Sequence, residues 1–212
     1  MTEDVRTTET RRRLIDATIE TIRTLGIAAV SARTIAATGK VNQALIFYHF
    51  GSVQALLGEA SLVTTAERVA EYDEQFNSVT SFAGLIEVAT RLHAEEHERG
   101  NVNVLAQVLA GSPSNPELAK VTGEALNLWT NRVEQVLHRL LKDSPIGEAL
   151  DAKTLAKLVS ATFIGLELVG TTSPDSPESE LAGLERLGVL AELIDDLGPI
   201  ARRAVRAKLR KV

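Results

Sequence analysis

The stretch VSARTIAATGKVNQALIFYHFGSVQALL, residues 30–57, contains two short helical patterns that meet at residues 38–41. Ser31 precedes the first pattern and can accept a hydrogen bond from an amide of the first helical turn. Gly39 tolerates left-handed backbone angles and is expected to end the first helix. Asn42 offers its side-chain oxygen as the cap of the second helix. Two helices joined this tightly predict a helix-turn-helix.

The second helix of this pair has two chemically different faces. Ile46 and Phe50 are four residues apart and share the inward face. The outward face carries Gln43, Ala44, Phe47 and Tyr48, with His49 at the rim. Amide, methyl and aromatic groups suit the major groove of DNA, which presents base edges, thymine methyl groups and phosphates. Plain packing in a small helical bundle is the alternative interpretation of the aromatic cluster.

Residues 45–56, LIFYHFGSVQAL, resemble the segment T-L-Y-x-H-F-x-S-K-x-x-L that ends the DNA-binding head of the TetR family of bacterial transcriptional regulators. The match extends back through Ser31, Ile35 and Ala36 to the first helix. The resemblance implies an all-α protein, in which an N-terminal three-helix helix-turn-helix head is joined by a long helix to a larger helical body for ligand binding and dimerisation. It implies a DNA-binding domain at residues 1–51 and an effector-binding and dimerisation domain at residues 52–212.

The expected function is that of a ligand-responsive regulator. Such a protein, usually a repressor, binds a double-stranded inverted-repeat operator as a two-fold homodimer and is released by a small-molecule effector. The residues expected to contact DNA are Ser31, Arg33, Thr34, Lys40, Asn42, Gln43, Ala44, Phe47, Tyr48 and His49. Gln43 is expected to contact bases, whereas Tyr48 and His49 can donate hydrogen bonds to phosphates.

Three positions depart from the family pattern. Val53 replaces a lysine that in this family approaches the operator backbone, and Phe47 replaces a tyrosine. Lys40 stands where the family most often has the glycine of the turn, while Gly39 lies one residue earlier. We hypothesise that the Lys40 ammonium replaces the missing lysine, at a cost of about 1 kcal/mol if its backbone is left-handed.

The distribution of charge favours the same end of the chain for DNA binding. Residues 1–55 hold seven lysines and arginines against five acids, although the whole chain carries a net charge of −5. Three consecutive arginines, Arg11, Arg12 and Arg13, precede an apolar stripe of the first helix, and at least one of them is expected at the duplex backbone. An ordinary solvated helix start is the alternative.

The remainder of the chain predicts long helices separated by proline-rich breaks. One is expected to start after Ser52 and to run to about Phe76, connecting the head to the body. The others are expected at residues 80–99, 101–110, 116–142, 152–171, 179–197 and 199–210.

Two of these helices are candidates for a dimer interface. The segment 155–170 is apolar nearly all round and must be covered on most sides, and the next helix is rich in leucine. The expected interface residues are Leu158, Ala161, Gly165, Leu168, Leu184, Leu187, Leu190 and Ile194. Burial of both helices within one subunit is the alternative.

An effector pocket is expected among the apolar faces of the body helices. Its candidate lining residues are Phe82, Ile86, Leu105, Leu109, Trp129, Val133, Phe163 and the isolated acid Glu167. Apolar stripes at helical spacing usually form plain core, which is the alternative for each of them.

The sequence offers little support for catalysis. It has no cysteine, no glycine-rich phosphate loop and no G-x-S-x-G motif, so we expect no enzymatic activity, no catalytic residues and no cofactor. His93 and His97 are spaced for one helical face, but the surrounding glutamates indicate a solvated surface, and no metal site is expected. The functional alternative to a regulator is a dimeric small-molecule-binding or partner-binding module whose DNA head no longer functions.

Composition indicates a globular protein of the cytoplasm. Hydrophobic residues make up 44% of the chain, no apolar run approaches the length of a membrane span, and the charged start lacks the apolar core of a signal peptide. No membrane partner is expected.

Overall fold

The computed structural model describes residues 2–142, 144–170 and 177–209, and within these ranges every regular element is helical. The α-helices are α1 (Thr2–Leu25), α2 (Ala32–Gly39), α3 (Ala44–Phe50), α4 (Val53–Glu71), α5 (Asp73–Ser78), α6 (Phe82–Glu98), α7 (Asn101–Gly111), α8 (Pro116–Leu141), α9 (Ala152–Gly170), α10 (Pro177–Asp195) and α11 (Pro199–Leu209). Short 3-10 turns lie at Ile27–Ala29, Ser112–Ser114 and Pro145–Glu148. The predicted all-α class is confirmed.

The predicted helices of the body agree with α6 to α11 to within two residues at either end. The expected single helix from Ser52 to Phe76 is wrong in its last part, because α4 ends at Glu71 and α5 starts at Asp73. Tyr72 interrupts the helical backbone with φ −98° and ψ 6°. Its side chain is buried, so packing of this tyrosine overrides the local preference for a continuous helix.

The chain divides into two compact units. The first comprises residues 1–67 and 99–126, and the second comprises residues 68–98 and 127–212. The first unit therefore contains α7 and the start of α8 in addition to the helix-turn-helix. The expected boundary between residues 51 and 52 concerns the extent of the DNA-binding head and stays a prediction.

One hydrophobic core holds the first unit together. Side chains from α1, α2, α3, α4, α7 and α8 meet in it, namely Leu14, Ile15, Ala17, Ile19, Ile22, Ile35, Ile46, Leu56, Leu57, Ala60, Val104, Val108 and Leu118. Burial of each large apolar side chain contributes about 1.5–3 kcal/mol. Because Ile46 is the fully buried residue of α3, this core fixes how that short helix is presented.

The second unit has its own core with an ionic network beside it. Tyr72 and Phe76 pack with apolar residues of α6, α8 and α9. Glu96 is buried, and its Oε1 accepts hydrogen bonds from Arg68 Nη2 and from the Tyr72 hydroxyl, each at 2.9 Å. Burial, together with hydrogen bonds to Glu96 and Glu95, raises the pKa of Tyr72 well above its ordinary value.

Across the described parts of the chain, no helix combines the length and apolarity that crossing a bilayer requires.

Candidate nucleic-acid interface

Helix α2 begins with a reciprocal cap. The Thr34 amide donates a hydrogen bond to Ser31 Oγ at 3.1 Å, and the Ser31 amide donates to Thr34 Oγ1 at 2.9 Å. The Thr34 hydroxyl donates in turn to the carbonyl oxygen of Ala29 at 2.8 Å. The predicted cap at Ser31 is confirmed. Both side chains thus have a structural role, and their expected contacts with DNA stay predictions.

The turn between α2 and α3 has its left-handed residue at Lys40, with φ 51° and ψ 45°. The Val41 amide donates to the Ala36 carbonyl at 3.0 Å and the Lys40 amide to the Ala37 carbonyl at 3.3 Å. This is the Schellman pattern, in which a left-handed residue follows the helix. The predicted end of α2 at Gly39 is confirmed, but the left-handed conformation belongs to Lys40 and not to Gly39.

Helix α2 packs closely against α1 at Gly39, which has no side chain. A Cβ atom there would lie 3.0 Å from the Cβ of Ala17 and 3.8 Å from the carbonyl oxygen of Arg13. A methyl–methyl distance of 3.0 Å is shorter than normal van der Waals contact. Close packing between the helices thus favours glycine at position 39, and the lysine after it has the left-handed backbone.

The side chain of Asn42 caps the start of α3, because its Oδ1 accepts a hydrogen bond from the Ala44 amide at 2.9 Å. This confirms the predicted cap. Ile46 is fully buried, while Phe50 is half-buried and packs against the core of the first unit. The predicted inward face of α3 is confirmed.

The outward face of α3 is exposed as the spacing predicts. Gln43 and Ala44 are open to solvent, Phe47 is 53% exposed and Tyr48 is 79% exposed. His49 is half-buried, and its ring meets the Tyr48 ring edge-on with centroids 4.8 Å apart. Packing within the unit does not account for two such exposed aromatic rings on a seven-residue helix, so this face is available to a partner.

Most arginines of α1 have acidic partners within the first unit. Arg11 pairs with Glu59, Arg12 with Glu67 and Asp16, Arg13 with Glu9, and Arg23 with Glu20. Arg33 and Lys40, in contrast, are exposed and have no carboxylate partner among the described residues. These two cations can bind a phosphate without breaking an ion pair, which makes them better candidates for backbone contacts than Arg11, Arg12 or Arg13.

Val53 stands where the TetR family has a lysine, but its side chain does not face the solvent. Its side chain is half-buried and packs against the core of the first unit. The preceding Ser52 caps α4 through a hydrogen bond from the Ala55 amide to its Oγ at 3.0 Å, as predicted. The start of α4 therefore contributes capping and packing, and offers no cation to DNA.

The candidate pocket residues fall in different units. Val133 belongs to the core of the second unit, and Phe82 and Trp129 pack against it. The centroids of the Trp129 and Tyr72 rings are 6.0 Å apart. The centroids of the Phe163 and His93 rings are 5.2 Å apart. Their role in binding an effector stays a prediction.

The other pocket candidates with described side chains are not among the residues of that core. Ile86 is half-buried on α6, next to Gly188 of α10. Leu105 and Leu109 are half-buried and belong to the first unit. The side chain of Glu167 lies outside the described residues.

Several expected interface residues on α9 and α10 of the second unit have exposed apolar side chains. Leu158, Leu168 and Leu190 are exposed, as is Ala161, while Gly165 and Ile194 are half-buried. The side chains of Leu184 and Leu187 lie outside the described residues. Sequence reasoning missed Val189 and Leu193, which are also exposed; Leu193 follows Val189 by four residues and Leu190 by three, which are same-face spacings on a helix.

His93 and His97 lie side by side on α6, with ring centroids 6.2 Å apart. His93 is buried rather than solvated. No group of three histidine, aspartate or glutamate side chains suited to a metal ion occurs in the part of the chain that the structure describes.

The N-terminal helix-turn-helix region also matches a known protein family. Residues 14–60, less than a quarter of the chain, match the model of the bacterial regulatory proteins of the tetR family. The head belongs to the TetR family. The matched span of this TetR-family head contains the capped α2, the Lys40 turn and the exposed face of α3.

Solved structures extend the likeness of fold beyond the TetR-family head. A TetR transcriptional regulator from Legionella pneumophila has 18% identity and a TM-score of 0.64, over 84% of this chain and 94% of its own. A Saccharomonospora viridis protein solved with choline has 23% identity and a TM-score of 0.66, over 85% and 95%. The regulator FadR from Bacillus subtilis, solved with stearoyl-CoA, has 16% identity and a TM-score of 0.66, over 84% and 97%.

These comparisons show that the chain has the fold of TetR-family transcriptional regulators. No curated protein matches the sequence.

Proposed function

We propose that this protein is a ligand-responsive transcriptional repressor that binds an inverted-repeat operator as a two-fold dimer. The observation that carries the proposal is the two-sided packing of α3. Its inner face is anchored by Ile46, which is fully buried, while Gln43, Phe47 and Tyr48 are exposed together on its outer face. A helix held in this way can enter the major groove of DNA with its outer side chains towards the bases.

Each exposed side chain suits a particular part of the duplex. The Gln43 amide can donate and accept simultaneously and so can bond the N6 and N7 atoms of an adenine. The Phe47 ring suits a thymine methyl group, and the Tyr48 hydroxyl can donate to a phosphate oxygen. Arg33 and Lys40 add positive charge near the backbone of the DNA.

Specific binding requires two heads, because one seven-residue helix makes too few contacts. A two-fold dimer can present its two recognition helices to half-sites about 34–36 Å apart. The exposed apolar surface formed by Leu158, Leu168, Val189, Leu190 and Leu193 on α9 and α10 supports dimerisation through these helices.

Release from DNA is proposed to follow from a small molecule bound by the helical body. A ligand that favours a body shape with the wrong separation of the two heads would lower operator affinity, with a coupling of about 1–3 kcal/mol that acts equally in both directions. The relatives that hold choline and stearoyl-CoA bind chemically unlike molecules in the same fold. The effector of this protein must therefore be found by experiment.

The test is selection of bound sites from random duplex DNA with the full-length protein, followed by competition with small molecules. We expect an enriched inverted repeat with the half-site spacing of a dimer. Gln43→Ala should reduce discrimination at one base pair of each half-site by about 1–3 kcal/mol. Gln54→Ala, at an exposed glutamine of α4, is the matched control.

Two outcomes would argue against the proposal. If the protein dimerises and binds small molecules but selects no DNA sequence, it is a carrier or partner-binding module with an inactive head. If Gln43→Ala and Gln54→Ala have equal effects on operator binding, then α3 does not contact the bases through Gln43.

A further inference from the structure

Arg11 lies at the C-terminal end of α3, although it belongs to α1. Its Nη1 donates a hydrogen bond to the carbonyl oxygen of His49 at 2.6 Å, and its guanidinium lies 4.4 Å from the centroid of the Phe50 ring. Its Nη2 pairs with Glu59 of α4. A single side chain from α1 thus connects the end of the recognition helix to α4.

These three contacts act on the part of α3 that most needs support. A helix of seven residues is too short to be stable by itself, and its last carbonyl groups lack partners within the helix. A cation at the C-terminus is favourable for the helix dipole, and stacking on Phe50 adds a cation–π interaction. Glu59 holds the guanidinium in place from the other side.

We propose that Arg11 is a positioning residue for DNA recognition, which fixes the C-terminal turn of α3 so that Phe47 and Tyr48 are already oriented for the groove. The inference rests on the proposed DNA-binding function. It differs from the sequence expectation that an arginine of this cluster contacts the duplex backbone. Arg11 supports binding from within the head and touches no nucleotide.

If Glu59 orients Arg11, replacing this acid should change operator affinity in the direction opposite to the usual one. Removing an acid from a DNA-binding head normally raises affinity, because repulsion of phosphates is relieved. Glu59→Gln should instead lower operator affinity, because Arg11 loses the partner that orients it towards His49. The opposite sign is expected if Glu59 merely competes with DNA for the arginine.

The chain offers matched controls on α1, two residues to either side of Arg11. Arg13 and Glu9 form an ion pair on the same helix at 3.7 Å, and both side chains are more than half exposed. Arg13→Gln and Glu9→Gln therefore make the same changes of charge without touching α3. An exposed pair of this kind contributes little to stability.

The experiment measures operator affinity over a range of salt concentrations for Arg11→Gln, Glu59→Gln, the double variant and the two controls. We expect Arg11→Gln to lower operator affinity about tenfold, the scale of one charge-assisted hydrogen bond, with the slope against salt the same as for the wild type. Glu59→Gln should also lower affinity, while Glu9→Gln leaves it unchanged or raises it. The double variant should be no weaker than Arg11→Gln alone, because the two residues act as one unit.

A second measurement requires no DNA. Amide hydrogen exchange of residues 46–51 in the free, folded protein should be faster in Arg11→Gln and in Glu59→Gln than in the Arg13→Gln control. Unchanged exchange in both variants would overturn the inference, even if either variant were too unstable for binding assays.

Other outcomes separate the inference from the proposed function. A rise in affinity for Glu59→Gln, or a slope for Arg11→Gln shallower than that of the wild type by about 0.9 per phosphate contact, would identify Arg11 as a phosphate ligand and overturn its positioning role. If the wild-type protein selects no operator, the proposed function itself fails. If the wild type selects an operator and Arg11→Gln behaves like Arg13→Gln, only the positioning role fails.

Discussion

Replacing Lys40 by glycine should stabilise the protein and at the same time weaken its binding to DNA. Lys40 has φ 51° and ψ 45°, and among the described residues it is the one non-glycine position with positive φ. Its side chain is exposed and has no carboxylate partner in the described part of the chain. The backbone strain and the free charge therefore belong to one residue, and substitutions can separate them.

The expected magnitude follows from two opposing contributions. A left-handed backbone costs a residue with a Cβ about 1–2 kcal/mol, which glycine avoids. The greater freedom of glycine in the unfolded chain opposes this by about 0.5–1 kcal/mol. Lys40→Gly should thus raise the free energy of unfolding by about 0.5–1 kcal/mol. Lys40→Ala keeps the Cβ and should change it by less than about 0.5 kcal/mol.

Binding to DNA should respond to charge alone. Lys40→Gly and Lys40→Ala each remove one phosphate contact per head, so the slope of log affinity against log salt should become shallower by about 0.9 per head in both. Lys40→Arg should preserve the slope. Stability is measured as the denaturation midpoint at constant m value, and the slope is measured by titrating operator DNA at several salt concentrations.

The effect of Lys40 on stability and its effect on the salt slope are independent and can fail separately. Equal stability of the glycine and alanine variants would show that the left-handed turn is not strained. An unchanged salt slope in both would reject the hypothesis that Lys40 replaces the lysine that is missing at Val53.

Three further predictions follow from packing and burial. Gly39→Ala should destabilise the protein by about 1 kcal/mol, because its Cβ would lie 3.0 Å from the Cβ of Ala17. Gly123→Ala has open space around its Cβ and should stabilise α8 by up to about 1 kcal/mol. Denaturant unfolding of both variants measures whether the two effects have opposite signs. Tyr72→Phe should cost about 1 kcal/mol at neutral pH by removing a buried hydrogen bond to glutamate. Because the folded-state pKa of Tyr72 is raised, its stabilisation is complete below pH of about 10 and declines above it, so the alkaline loss of stability should be smaller in the variant; pH-dependent unfolding measures this. Leu190→Glu should produce monomers in sedimentation experiments, and Ile200→Glu, at an equally apolar but 88% exposed position of α11, should not; a dimeric Leu190→Glu protein would place the interface elsewhere.

Local signals were sufficient for much of the candidate site. The caps at Ser31, Asn42 and Ser52 are bonds between residues two or three apart, so the sequence contains both partners. The two faces of α3 follow from helical periodicity, which depends only on spacing along the chain. The exposure of Leu158 and Leu190 on apolar helices also agrees with their selection as interface candidates, although dimerisation itself awaits the test above.

Other features of the site depend on residues distant in sequence. The break at Tyr72 arises where its hydroxyl meets Glu95 and Glu96 of α6, more than twenty residues later, and local propensity contains no trace of that contact. The run from Arg11 to Arg13 predicts that at least one of these arginines contacts the duplex backbone, and it contains no signal for the contacts that Arg11 makes. Those contacts, with His49 and Glu59, join residues separated by 38 and 48 positions.

The sequence alone determined the all-α class, the positions of most helices, the helix-turn-helix and the outward face of α3, since each depends on periodicity and on capping between near neighbours. Only the tertiary structure decided which residue of the pair Gly39 and Lys40 takes the left-handed turn. Both residues are compatible with the local pattern, and the close approach of α2 to Ala17 of α1 favours a residue without a Cβ at position 39. The same holds for the ion pairs of Arg11 with Glu59 and of Arg12 with Glu67, because these partners are distant along the chain and meet only in the folded protein.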